Sequence, residues 1–88
     1  MIRIERIDDA TFRVTVRGDV TTQHEVSASP SYCEKLTEGR VSPEVLIERS
    51  FEFLLERESN RSILGRFDLE VIGRYFPEYE RAIRERLG

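Results

Sequence analysis

The chain has little of what usually makes chemistry recognisable. It holds one cysteine, Cys33, and one histidine, His24, so neither an intrachain disulfide nor a zinc site built from His and Cys can form within it. A lone cysteine also suits a reducing compartment. The longest apolar runs are three residues, Val45 to Ile47 and Phe53 to Leu55. A membrane-spanning helix needs about 20. The glycines stand singly at 18, 39, 65, 73 and 88, and no glycine-rich phosphate loop or nucleophile elbow is present. Arg3, Glu5, Arg6, Asp8 and Asp9 crowd the first nine positions, where a secretory signal places apolar residues. The expectations are therefore a cytoplasmic protein with no metal, cofactor or membrane contact, and not an enzyme.

What is present is a small, densely ionic chain. Its 88 residues are 39% hydrophobic and 35% charged, which suits one domain over residues 1–88. Such a domain buries about 60–65% of the surface its unfolded chain exposes. Five Phe and three Tyr among many Ile, Leu and Val set it apart from a disordered composition. The net charge of −3 argues against a chain-wide surface for polyanions. Lys35 is the only lysine, and every other basic residue is Arg. Arg favours planar, multi-donor ion pairs, although genomic base composition produces the same bias.

Hydrophobic periodicity divides the chain in two. Thr11 to Arg17 alternates, with Phe12, Val14 and Val16 on one face, and Ile2, Ile4, Val20, Thr22, His24 and Val26 continue that period. This predicts an antiparallel three-stranded meander at about 2–7, 11–17 and 20–27, with turns at Asp8-Asp9-Ala10 and Gly18-Asp19. A two-residue second turn would set Val14 against Gln23 and mix the faces. An odd-length connection, a three-residue turn or a bulge, sets Phe12 against Val26 or His24 instead. The first hairpin pairs Ile4 with Val14 and Ile2 with Val16. In one of the allowed registers Glu5, Arg13 and Glu25 then line up across the outer face as a compensated, solvated surface.

From Ser29 onward the period is helical. Ser29-Pro30 and Ser42-Pro43-Glu44 are start signals, Gly39 is a stop, and Val41 with Leu46 forms a hydrophobic staple. Helices are predicted at about 30–38, 43–57, 68–74 and 77–87, packed on one face of the sheet. In the third, Asp68 is the N-cap and Phe67 staples to Ile72. Ile63 and Leu64 are expected in a short helical turn. Ile47, Phe51, Leu54 and Leu55 form the buried stripe of the long helix, and Tyr79, Ala82, Ile83 and Leu87 that of the last. Strands first and helices after is an α+β order.

Few residues offer chemistry. His24 could serve as a general base or ligand, but its place beside Val26 on the inward face suits a hydrogen-bonded core residue. Cys33 falls in a first helical turn, where a thiol can be acidified, yet Tyr32 and Leu36 make it part of an apolar patch. Glu44, Glu48, Glu52 and Glu56 line one helix face, and like charges at that spacing call for cations such as Arg74, Arg81 or Arg84, or a partner protein. Phe67, Tyr75, Phe76 and Tyr79, with Arg66 and Arg74 beside them, are the candidate partner-binding residues, because aromatics and Arg are the usual anchors of interfaces. The alternative is that these rings close the core.

Val41 to Phe51 (Val-Ser-Pro-Glu-Val-Leu-Ile-Glu-Arg-Ser-Phe) resembles the second helix of ribbon-helix-helix repressors and antitoxins, and residues 20–58 resemble that family's strand, short helix, capped turn and long helix. The resemblance implies a dimer whose paired strands enter the DNA major groove. Thr21, Gln23 and Glu25 would then face bases, and Ser42 would sit near phosphate. The remainder, Phe67 to Glu80 above all, is similar to small prokaryotic proteins and implies no activity. The leading expectation is a non-enzymatic protein-interaction or assembly module, a homo-oligomer or the binder of a protein partner. DNA as a partner belongs to the alternative, an antitoxin-like regulator.

Overall fold

The computed structural model describes residues 1–88. Strands β1 (Ile2–Asp8), β2 (Thr11–Val16) and β3 (Thr22–Ser27) form the antiparallel meander. Ile2 faces Val16, Ile4 faces Val14, Phe12 faces Val26 and Val14 faces His24, so the inward faces stay in phase across all three strands. The β2–β3 connection runs from Arg17 to Thr21, five residues rather than the expected three. The parity is nevertheless odd, as the burial of one face demands. A bulge at the end of the first hairpin sets Arg6 against Phe12 and Asp8 against Thr11, leaving Ile7 without an opposite residue and exposed.

The sheet has a fourth strand that the periodicity does not predict. Arg66–Asp68 forms β4, parallel to β3, with Phe67 beside Val26. Gly65 O accepts from Glu25 N and Leu69 N donates to Ser27 O, both at 2.8 Å, and Ser27 Oγ donates to Asp68 at 2.9 Å. The expected staple of Phe67 on Ile72 is thus replaced by a strand, and Asp68 accepts from Glu70 N in a turn ahead of the helix. Three residues carry too little alternation to be read from pattern alone.

The helices are α1 (Pro30–Thr37), α2 (Pro43–Leu55), α3 (Val71–Tyr75) and α4 (Tyr79–Leu87). Ser29 and Ser42 cap the first two, accepting from Tyr32 N and Val45 N, with Pro in the first turn of each. α1 ends with Glu38 and Gly39 in the left-handed region, at φ 55° and 73°. α3 and α4 begin three and two residues later than expected, because Leu69-Glu70 and Pro77-Glu78 are turn residues. Asn60–Ser62 is a single 3-10 turn, and Ile63 beyond it is extended rather than helical.

The core lies between the sheet's inner face and the helices. Phe12, Val14, Val26, Leu46, Ile47, Phe51, Phe53, Leu69, Tyr79 and Ile83 are fully buried. Each large apolar side chain among them contributes about 1.5–3 kcal/mol by leaving water. Phe53 meets Tyr79 edge-on at 5.4 Å and Phe76 at 5.9 Å, joining α2 to the C-terminal helices. Tyr32 donates to Glu80 at 2.9 Å, which ties α1 to α4.

The acidic ladder of α2 is answered by residues other than those expected. Arg6 pairs with Glu44, Arg49 lies against Glu48 and Glu52, and Arg57 and Arg86 both meet Glu56. Arg74, Arg81 and Arg84 take no part. The ladder lies between β1 at its start and α4 at its end, which supply Arg6 and Arg86, while Arg49 lies on α2 itself and Arg57 just past its end. On the outer sheet face Glu5 pairs with Arg13 at 3.5 Å and Glu25 with Arg66 at 3.3 Å. The expected row across three strands therefore extends onto the fourth.

Candidate docking groove

Pro77 shapes the irregular end of the domain. A residue before proline avoids the helical region, and Phe76 is extended at φ −129°, ψ 90°. That breaks the chain between α3 and α4 and separates two neighbouring rings. Phe76 turns inward onto Phe53, and the Arg57 guanidinium covers both, 3.5 Å from the Phe53 centroid and 5.8 Å from that of Phe76. Tyr75 turns outward and is 68% exposed.

An apolar groove of about 240 Å³ opens beside Tyr75, between the end of α2, the residues ahead of β4, and α3. Leu54, Ile63, Phe67 and Ile72 form its buried floor. Its rim is made by Leu64, 51% exposed, with Val71, Tyr75 and Glu58. Two of the chain's five exposed large apolar residues thus stand at one opening. Next to the lining residues Ser62 and Tyr75 are Arg61 and Arg74, and neither is in an ion pair. Every buried side-chain polar atom of the protein has a hydrogen-bond partner, so the groove is an apolar opening in a satisfied interior.

The six candidate partner-binding residues do not stay together. Phe67 and Tyr79 belong to the core, and Phe76 is half-buried beneath Arg57. Arg66 lies on the outer sheet face, with its side chain 79% exposed. Arg74 borders a shallow polar hollow with Asp68, Glu70 and Glu80. Only Tyr75 is both exposed and at the groove. Leu64 and Val71 are groove residues that pattern reading passes over. The one signal in the sequence is that Leu64 is apolar in a stretch of Ser, Asn, Arg and Gly that has no period to bury it.

The three DNA-reading candidates sit apart from the groove. Thr21 closes the β2–β3 loop, and Gln23 faces outward across from Thr15. The Ser42 hydroxyl is taken by the Val45 amide at 3.3 Å. Pairing with β2 runs along one edge of β3, and β4 pairs with Glu25 to Ser27 on the other.

The two residues with chemical potential are engaged. His24 Nδ1 donates to Leu64 O at 2.8 Å, and its Nε2 lies 2.8 Å from Thr22 Oγ1. Asn60 Nδ2 donates to Thr22 Oγ1 at 3.1 Å. A neutral ring with the proton on Nδ1 satisfies this chain: amide to hydroxyl, hydroxyl to Nε2, Nδ1 to carbonyl. The network holds Leu64, and with it the groove rim, against β3. Cys33 is buried, and desolvation pushes its thiol above the usual range, the opposite of activation. No three His, Cys, Asp or Glu side chains converge in metal-binding geometry, and no helix is long and apolar enough to cross a membrane.

Compared with models of protein families, with curated proteins and with solved structures, the chain matches none.

Proposed function

We propose that this chain is a non-enzymatic protein-interaction module whose docking surface is the groove beneath Leu64 and Tyr75. Its occupant is a segment of another protein carrying one bulky apolar side chain. The observation that carries this reading is the groove: an opening of about 240 Å³ with a buried apolar floor and an exposed Leu and Tyr on its rim. That volume suits a single large side chain. Interfaces concentrate their energy in such anchors, with aromatic residues prominent among them.

Selection of short random peptides on the immobilised protein tests the reading. Enriched peptides should share a large apolar residue. Leu64→Asp and Tyr75→Asp should each weaken the best peptide roughly tenfold or more, the scale of an interface anchor. Peptides that bind both variants as well as the parent, or an absence of enriched peptides, would overturn it.

A further inference from the structure

The sheet order leaves β1 as an edge, and it is a long one: seven residues, against three in β4 at the other side. Edge strands present unpaired backbone groups that natural proteins normally blunt. From Ile2 to Arg6 this edge is regular, contains no proline, and is covered by no other strand.

The backbone phase is set by the first pair. Met1 and Arg17 exchange both of their hydrogen bonds, at 3.1 and 2.8 Å. In an antiparallel ladder the bonding direction alternates, so Arg3 and Glu5 also bond toward β2. The N–H and C=O groups of Ile2, Ile4 and Arg6 therefore point away from the sheet. An added antiparallel strand must set residues of this outward-bonding type opposite each other.

For a second copy of the same strand, that condition excludes two-fold axes falling between residues. Three centres, at Arg3, Ile4 and Glu5, leave pairs on both sides of the axis within the regular stretch. An axis through Arg3 sets Arg3 against Arg3, and one through Glu5 sets Glu5 against Glu5. Like charges directly opposite are unfavourable. An axis through Ile4 pairs Ile4 with itself, Ile2 with Arg6, and Arg3 with Glu5 twice. It also continues the outer charge row. Arg66, Glu25, Arg13 and Glu5 alternate in sign across the sheet and end on an acid at the β1 edge. The next strand in that row would supply Arg3, which is in no ion pair within its own chain. On the inner face, the half-buried Ile4 side chains would meet and carry the core across the axis.

We infer that two copies of this chain pair antiparallel through β1 about an axis at Ile4, joining their sheets into one, with reciprocal Arg3–Glu5 contacts setting the register. This surface is separate from the groove and stands independently of it. Light scattering over a concentration series should show a dimer. Arg3→Glu and Glu5→Arg should each weaken dimerisation roughly tenfold, because each sets like charges opposite twice. An equimolar mixture of the two variants should recover the parent's affinity as a heterodimer, since both contacts are then opposite in sign. Any harm that Glu5→Arg does to its own Arg13 pair would persist in the mixture. Tyr75→Asp should leave dimerisation unchanged. A monomer at every concentration, a dimer indifferent to both charge reversals, or a mixture no tighter than its components would overturn the inference.

Discussion

Tyr79 and Ser50 form a buried polar pair whose hydrogens can be assigned, and that assignment orders the stabilities of three variants. Both side chains are fully buried. Ser50 Oγ is 2.7 Å from Leu46 O and 2.6 Å from the Tyr79 hydroxyl. A carbonyl only accepts, so the single Ser50 proton goes to Leu46, and Tyr79 donates to Ser50. Tyr79→Phe removes one hydrogen bond and leaves no donor stranded, at a cost of about 0.5–1.5 kcal/mol. Ser50→Ala leaves a phenol hydroxyl buried without an acceptor. That costs about 1–3 kcal/mol, offset by up to about 0.7 kcal/mol of helix propensity. In the double variant neither group remains, so Ser50→Ala/Tyr79→Phe should be more stable than Ser50→Ala alone. For a domain of this size each kcal/mol shifts Tm by about 4–8 °C. Ser50→Ala should therefore melt roughly 5–15 °C below the parent, with the second substitution recovering part of the loss. Thermal and guanidinium unfolding of the four proteins gives the cycle. Additive losses, or a Ser50→Ala milder than Tyr79→Phe, would refute the hydrogen assignment.

Three further outcomes follow from the same interior. Burial raises the Tyr79 phenol above its ordinary value of 10.0, and desolvation with the bond to Glu80 does the same to Tyr32. The folded chain then holds these protons more tightly than the unfolded one, so stability is full below about pH 10 and falls above it, for Tyr79 by at most about 1.4 kcal/mol per pH unit. The denaturation midpoint should drop in that window, less steeply in Tyr79→Phe, and a midpoint flat through it would contradict the account. Cys33 should alkylate more than roughly tenfold slower in the folded protein than in urea, because its thiol is buried and raised; equal rates would show that the α1 packing is open. Asn60→Ala removes a donor that reaches Val20 O at 2.7 Å and Thr22 Oγ1 at 3.1 Å. It should cost about 1–2 kcal/mol and speed amide exchange around residues 17–24, and unchanged exchange there would count against the network.

Elements carrying several repeats of their period were legible in the sequence, and elements specified by long-range bonds were not. Phe12, Val14 and Val16 alternate often enough to define a face, and parity narrowed the partners to Val26 or His24 for Phe12 and His24 or Thr22 for Val14, of which the structure takes the first of each. Two Ser-Pro signals placed the starts of α1 and α2 to the residue. The Arg17–Thr21 connection kept its parity but not its length, since Asn60, far along the chain, holds the loop through Val20. The acidic ladder was visible, whereas its cations were not: Arg49 and Arg57 lie on or just past α2 itself, and Arg6 and Arg86 reach it because β1 and α4 flank the helix, which is a tertiary fact. The aromatic cluster failed as a unit for a local reason: Pro77 turns Phe76 inward and Tyr75 outward. Composition cannot distinguish two neighbouring rings that a backbone break sends in opposite directions.

β4 links most of what pattern reading missed. Arg66 to Asp68 has no amphipathic period, and its position is fixed by backbone bonds to residues some forty positions earlier. Once paired, it has three consequences. It occupies Glu25 to Ser27 of the edge of β3 that β2 leaves free, so a two-chain ribbon using the whole of β3 would require that half to be released from β4. It brings Phe67 into the core and anchors Leu64 through His24, which places the groove's floor and rim around one short strand. It also caps that side of the sheet with only three residues, leaving β1 as the extended edge. The groove and the β1 edge are thus at opposite ends of the same strand order. If β4 were released, for example by Ser27→Ala with Asp68→Ala to remove the bond between them, the groove should lose its peptide while pairing through β1 survived.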